Sequence, residues 1–71
     1  MEVIIRVNTY FGNDEASDIK YSDTFESITE AVTYYEKEEK ENPNLMIELA
    51  IELKDGITGT VHPILNSKKL V

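Results

Sequence analysis

The sequence predicts an α+β domain of ββαββ order, a four-stranded sheet with one helix packed on one face. Three observations predict it. Residues 2–11 alternate at the period of a strand, Phe25, Ile28, Val32 and Tyr35 recur at the spacing of a helix, and residues 45–54 return to strict alternation before a turn signal at Asp55-Gly56. A chain of 71 residues has room for one domain with one thin core. That domain is placed over residues 1–65, with a C-terminal tail at 66–71.

The first strand sets Val3, Ile5, Val7, Thr9 and Phe11 on one side and Ile4, Arg6, Asn8 and Tyr10 on the other. Gly12-Asn13-Asp14-Glu15 reads as a turn. A shorter second strand is expected over 18–22, with Ile19 and Tyr21 inward. Asp23 is then expected to cap a helix, and Glu26, three residues later, completes a capping-box pattern. Phe25, Ile28, Val32 and Tyr35, joined by Ala31, form the buried stripe. Glu39 falls on the same stripe, so the packed part of the helix is expected to end near residue 38. Asn42-Pro43-Asn44 stops it.

The third strand points Leu45, Ile47, Leu49, Ile51 and Leu53 inward, alternating with Met46, Glu48, Ala50, Glu52 and Lys54. A two-residue Asp55-Gly56 turn would put Ile57 and Val61 on the face of Lys54 and Glu52. A three-residue loop, Lys54-Asp55-Gly56 with Gly56 at positive φ, sets Leu53 opposite Ile57 and sends Ile57 and Val61 inward, so it is the expected turn. The fourth strand is expected to run from Ile57 to about His62, because Pro63 cannot donate within an interior ladder.

Composition excludes much chemistry. Without cysteine there are no disulfides, thiolate zinc sites, iron–sulfur clusters or cysteine nucleophiles. His62 is the single histidine and has no partner ligand nearby in sequence. Asn13-Asp14-Glu15 with Asp18 lacks the alternating ligands and distal glutamate of a calcium loop. Ser17, Ser22, Ser27 and Ser67 sit in no nucleophile motif, and Gly12, Gly56 and Gly59 form no phosphate loop. No catalytic residue, metal or cofactor is expected. Met1-Glu2-Val3-Ile4-Ile5-Arg6 carries an acid where a signal peptide carries cations, and no stretch approaches the ~20 apolar residues of a membrane span. A cytoplasmic protein without a membrane partner is expected.

Fourteen acidic residues oppose seven basic ones, a formal net charge of −7. Nucleic-acid binding needs cations that displace phosphate counterions, so a direct nucleic-acid partner is not expected. A basic protein surface suits the charge better.

Three stretches carry a resemblance to a known fold: Glu2-Val3-Ile4-Ile5-Arg6-Val7-Asn8, the helix start Thr24-Phe25-Glu26, and a helix ending in a turn rich in Lys, Glu and Asn. Over about residues 2–62 the chain resembles the β-grasp immunoglobulin-binding domains of protein L and protein G. Ser22-Asp23-Thr24-Phe25-Glu26-Ser27-Ile28 is also similar to the helix start of ubiquitin, another β-grasp protein. The resemblance implies a mixed sheet of order 2-1-4-3, with strands 1 and 4 parallel at its centre. The chain lacks the Gly-Gly end of ubiquitin-like modifiers and the cysteines of ferredoxin-type domains. No binding residue carries over.

The expected function is that of a small acidic, non-catalytic protein-binding domain, of the kind phages and mobile elements use as inhibitors or adaptors. Two surfaces are candidates. On the helix, Glu30, Tyr34, Glu38 and Glu41 form an acidic strip with an exposed tyrosine, and its carboxylates crowd the C-terminal end against the macrodipole. On the third strand, Glu48, Ala50 and Glu52 mark a sheet edge suited to pairing with a partner strand or with a second copy in a homodimer. An immunoglobulin-binding module, or a structural subunit that self-associates through strand 3, is the alternative.

Overall fold

The computed structural model describes residues 1–67 and places β1 at Glu2–Tyr10, β2 at Ile19–Phe25, α1 at Ile28–Glu41, β3 at Ile47–Asp55 and β4 at Thr58–Asn66. The α+β class and the ββαββ order are those the alternation and helical spacing predict. All neighbouring strands are antiparallel, in the order β2-β1-β3-β4.

This order corrects the 2-1-4-3 arrangement with a parallel central pair. The reason lies in the strands themselves. β3 carries the most regular apolar face, Ile47, Leu49, Ile51 and Leu53, and it takes the interior place beside β1. β4 contains Gly59 and Pro63 and takes the edge, where a missing N–H leaves no gap in a ladder. At the edge β4 need not stop before Pro63. It continues to Asn66, with a register shift between Pro63 and Leu65 that leaves Ile64 as the extra residue. Asn66 and Ser67, assigned to a tail by sequence, belong to the sheet region: Asn66 pairs with Glu48, Ser67 donates its amide to the Ile47 carbonyl at 2.9 Å, and its hydroxyl accepts the Ile47 amide at 2.8 Å. The rest of that tail lies outside the described residues.

The inward faces are the predicted ones at their centres, while Val3, Phe11 and Ile28, also expected inward, are 58%, 62% and 45% exposed because they lie at the ends of their elements or beyond them. Val7, Ile47 and Leu49 are buried against Ala31 and Tyr35, with Ile5, Phe25, Val32, Tyr34 and Leu45 packed around them. Glu38 is the last buried helix residue, and Asn42 closes the helix with its amide on the Glu38 carbonyl at 2.9 Å. Burial fades along β1 and β3 towards the β3–β4 hairpin. The helix packs on β1, β2 and β3 and does not reach β4. Among the described residues the helix therefore covers one face of β1, β2 and β3 and leaves β4 uncovered.

The helix starts later than Asp23 and Glu26 suggest. Its N-cap is Ser27, whose hydroxyl accepts the Glu30 amide at 3.2 Å, so Ser27-Ile28-Thr29-Glu30 supplies the capping-box spacing. Asp23 and Phe25 stay in β2, paired with Val7 and Ile5, and the Phe25 ring meets Tyr34 at 5.1 Å. Three more ladder positions and an aromatic contact outweigh an earlier cap. A bulge opposite Thr9 and Tyr10 turns Ile19 to the outer face, away from the helix, while Tyr21 faces it.

The hairpin turn also departs from expectation. Asp55 pairs with Thr58, so the loop is Gly56-Ile57, two residues long. Gly56 has the expected positive φ, +67°, and it is the described residue that needs it. Glycine first, with an ordinary residue second, is the pattern of a type II′ turn. Ile57 sits at the tip, 99% exposed, and Val61 lies opposite Glu52 on the outer face. Both were expected inward. The expectation assumed that β4 lies under the helix, and it does not.

A Cβ on Gly56 would meet no atom within 4 Å, so Gly56→Ala isolates the backbone term. The variant should lose roughly 1 kcal/mol or more of stability. Ile57→Asn, at the exposed tip, should stay within about 0.5 kcal/mol of the parent. Urea midpoints with unchanged slopes are the measurement.

Candidate functional site

Two glutamates leave the surface in a chain with twice as many acids as bases. Glu38 is 6% exposed and Glu48 8%. Glu38 accepts the Tyr21 hydroxyl at 2.8 Å and the Asn42 side-chain amide at 2.7 Å, both on Oε2. Glu48, on the outer face, accepts the Tyr10 hydroxyl and the Asn8 amide, both at 3.1 Å on Oε1. Each carboxylate thus takes one tyrosine and one asparagine. Beside Glu38, the Tyr34 hydroxyl donates to Asp23 at 2.7 Å, a second stitch between helix and β2.

These pairings hold the phenols protonated. Tyr34 is pushed far above the ordinary 10.0 by burial, then by its bond to Asp23 and the nearby Glu38. Burial also leads at Tyr10, reinforced by Glu48, and at Tyr35, reinforced by Glu39. For Tyr21 the bond to Glu38 is the main cause. All are raised, and they are all the tyrosines of the chain.

This geometry divides the predicted helix strip. Glu30 and Glu41 are exposed as expected. Glu38 is not: its side chain turns to the sheet and is closed off by Tyr21 and Asn42. Tyr34 also turns inward, its ring on Phe25 and its hydroxyl on Asp23, so it is half-buried rather than displayed. The carboxylates left on the helix surface are Glu30, Glu36, Glu39 and Glu41, interleaved with Lys37 and Lys40.

The strand-3 edge is corrected outright. β3 lies between β1 and β4, so its backbone offers no edge. Ala50 is fully buried, Glu48 is engaged by Asn8 and Tyr10, and Glu52 forms an ion pair with Arg6 at 3.1 Å. Arg6, Asn8, Tyr10, Glu48 and Glu52 line a shallow concavity of about 380 Å³ on the outer face, rimmed by Ile19 and Val61. Its one cation, Arg6, is held by Glu52, and its second carboxylate, Glu48, by neutral donors.

The edge that sequence reasoning missed is β4. Every one of its nine residues, Thr58–Asn66, is exposed, and none is Asp, Glu, Lys or Arg. Val61, Ile64 and Leu65 are among the large apolar side chains left in solvent. The opposite edge, β2, carries Lys20 and Asp23. The signal for β4 was Pro63, a residue at home on edge strands.

Asn13-Asp14-Glu15 is occupied by its own turn: Asp14 accepts the Ala16 amide at 3.0 Å and the Ser17 hydroxyl donates to the Asp14 carbonyl at 2.6 Å. Among the described residues, no group of three or more His, Cys, Asp or Glu side chains is arranged to hold a metal ion, and no helix is long and apolar enough to cross a membrane. No family model, curated protein or solved structure matches the chain.

Glu38→Ala should strip the Tyr21 hydroxyl and the Asn42 amide of their acceptor and lower stability by about 1–3 kcal/mol. Glu36→Ala, on the exposed side, should stay within about 0.5 kcal/mol. Urea unfolding at neutral pH separates them. The raised phenols also set an alkaline limit. A pKa higher in the folded than in the unfolded chain stabilises fully below the unfolded value, about 10, and that stability is lost as pH rises through the folded values. Stability should therefore fall above about pH 10. Tyr34→Phe, which cannot ionise there, should show a shallower fall over the same range.

Proposed function

We propose that this chain is a small acidic, non-catalytic protein-binding domain that receives a partner strand along β4. One observation carries the reading: β4 is a nine-residue edge strand, exposed throughout and free of formal charge, in a chain of net charge −7. Edge strands in monomers are usually blunted by charge or cover. Among the described residues β4 carries no charge and the helix stops at β3; Pro63 and the extra residue Ile64 blunt only its C-terminal part. Backbone pairing along such an edge supplies affinity, and side chains at alternate positions supply selection.

Amide directions along β4 follow from the turn. The pair Asp55–Thr58 closes a two-residue loop and is hydrogen-bonded, so Thr60 and His62 also turn their backbone groups towards β3. Gly59, Val61 and Pro63 turn theirs outward. Pro63 has no N–H to offer, so the available donors over that stretch are Gly59 and Val61. Val61→Pro would remove the central donor without touching the β3 ladder.

A second reading rests on the helix. Glu36, Glu39 and Glu41 are exposed in its C-terminal half, where the macrodipole disfavours them, Glu30 is exposed in the first turn, and together they would attract a basic protein surface. An inhibitor or adaptor of the phage type, acting on a basic partner, belongs to this reading.

Affinity capture from the native host lysate, with mass spectrometry, tests both readings when run on the parent, on Val61→Pro and on Glu30→Lys/Glu41→Lys. The β4 reading expects the captured protein to disappear with Val61→Pro, to persist with the charge reversals, and to depend weakly on salt. Loss in the charge reversals, with strong salt dependence, would instead move the site to the helix. Thermal melts confirm that each variant is folded. Immunoglobulin, the partner implied by the likeness to protein L, is added as a defined probe in the same experiment.

A further inference from the structure

We infer that the strand β4 accepts is β4 of a second copy of this chain, paired antiparallel about a two-fold axis at Val61. This rests on reading β4 as the binding edge and names its partner. Charge is the first argument. Two copies each of net charge −7 repel, and residues 56–67 are the longest stretch of the sequence without a charged side chain. A second copy can approach along that stretch without setting carboxylate against carboxylate. The nearest carboxylate on the outer face, Glu52 opposite Val61, is already held by Arg6.

The second argument is register. With the axis at Val61, each Val61 N–H donates to the other Val61 carbonyl, and each Gly59 N–H to the other Pro63 carbonyl. Both outward donors are used, and the ladder ends where proline lacks an N–H. An axis one residue earlier also uses both donors, but it sets Val61 against Gly59. The axis at Val61 sets two half-exposed valines, each 54% exposed, against one another. Ile57, Ile64 and Leu65, exposed at the two ends of this short ladder, are further apolar surface that a second copy can cover.

A chain without cysteine makes the test direct. Paired residues in an antiparallel ladder lie at a Cα separation a disulfide can span. Val61→Cys should form a disulfide-linked dimer under mild oxidation, on the order of tenfold faster than Lys37→Cys on the exposed helix surface, because pairing raises the local thiol concentration. Sedimentation of the unmodified chain should show a concentration-dependent monomer–dimer equilibrium, and Val61→Pro, folded by its melt, should be monomeric. Equal crosslinking rates for the two cysteine variants, together with a monomeric parent at every concentration, would overturn the inference. If capture of another protein still depends on Val61 in that case, β4 remains a binding edge and only its partner is wrong. If neither dimer nor capture depends on Val61, both readings fall.

Discussion

A carboxylate taken below the surface must recover the hydration it loses, and in this chain Glu38 and Glu48 recover it from neutral donors rather than from cations. The choice follows from composition: seven basic residues cannot neutralise fourteen acids, and Arg6 is already spoken for by Glu52. Tyrosine and asparagine donate without adding charge. Glu38 ties the last packed turn of the helix to β2 and, through Asn42, to its own C-cap. Glu48 ties β3 to Asn8 and Tyr10 of β1. The helix sits where it does, and the outer face of the sheet is closed where it is, because these two sites are satisfied. Removal of either acceptor strands two donors in partly dry surroundings, which is the expensive direction of any hydrogen-bond change.

The same arrangement decides which surface is left for partners. A buried polar network spends the tyrosines that would otherwise be good anchors at an interface, and Tyr34 is the clearest case. What remains outside is of two kinds: a charged helix surface on which Lys37 and Lys40 dilute the acids, and the uncharged strand β4. The first acts at a distance and is screened by salt. The second acts only on contact, through directional backbone groups.

Period and spacing made most of the architecture legible in advance. The alternation of β1 and β3 identified their inward faces, the stripe through Ala31 and Tyr35 identified the helix face, and Glu39 on that stripe placed the end of packing at residue 38. What was not legible depended on contacts between distant segments. Two capping-box spacings overlap near the helix start, and only the pairing of Asp23 and Phe25 with β1 selects Ser27 over Asp23. Strand order could not follow from the strands' own patterns while a resemblance supplied another order, and the wrong order propagated. It made β4 interior, ended it before Pro63, and demanded an inward Ile57. The burial of Glu38 was hidden for a simpler reason: helical spacing puts it beside Tyr34 and Tyr35, but nothing local shows that Tyr21 waits on the sheet to receive it.

The two edges of the sheet differ in a way that bears on how far assembly can go. A sheet with two open neutral edges adds copies without limit, because each addition regenerates the edge it consumed. The proposed pairing of β4 with β4 would be isologous and would consume the neutral edge of both copies. The edges left at the ends of the joined sheet would both be β2, which presents Lys20 and is flanked by the exposed Asp18 and Glu26. Charges of this kind oppose flat, open-ended stacking of strands. Pro63 and the extra residue Ile64 further confine the shared ladder to the stretch around Val61, since beyond it a donor is missing and the register breaks. One neutral edge that is short and interrupted, opposite one charged edge, is the combination that allows association to close at two.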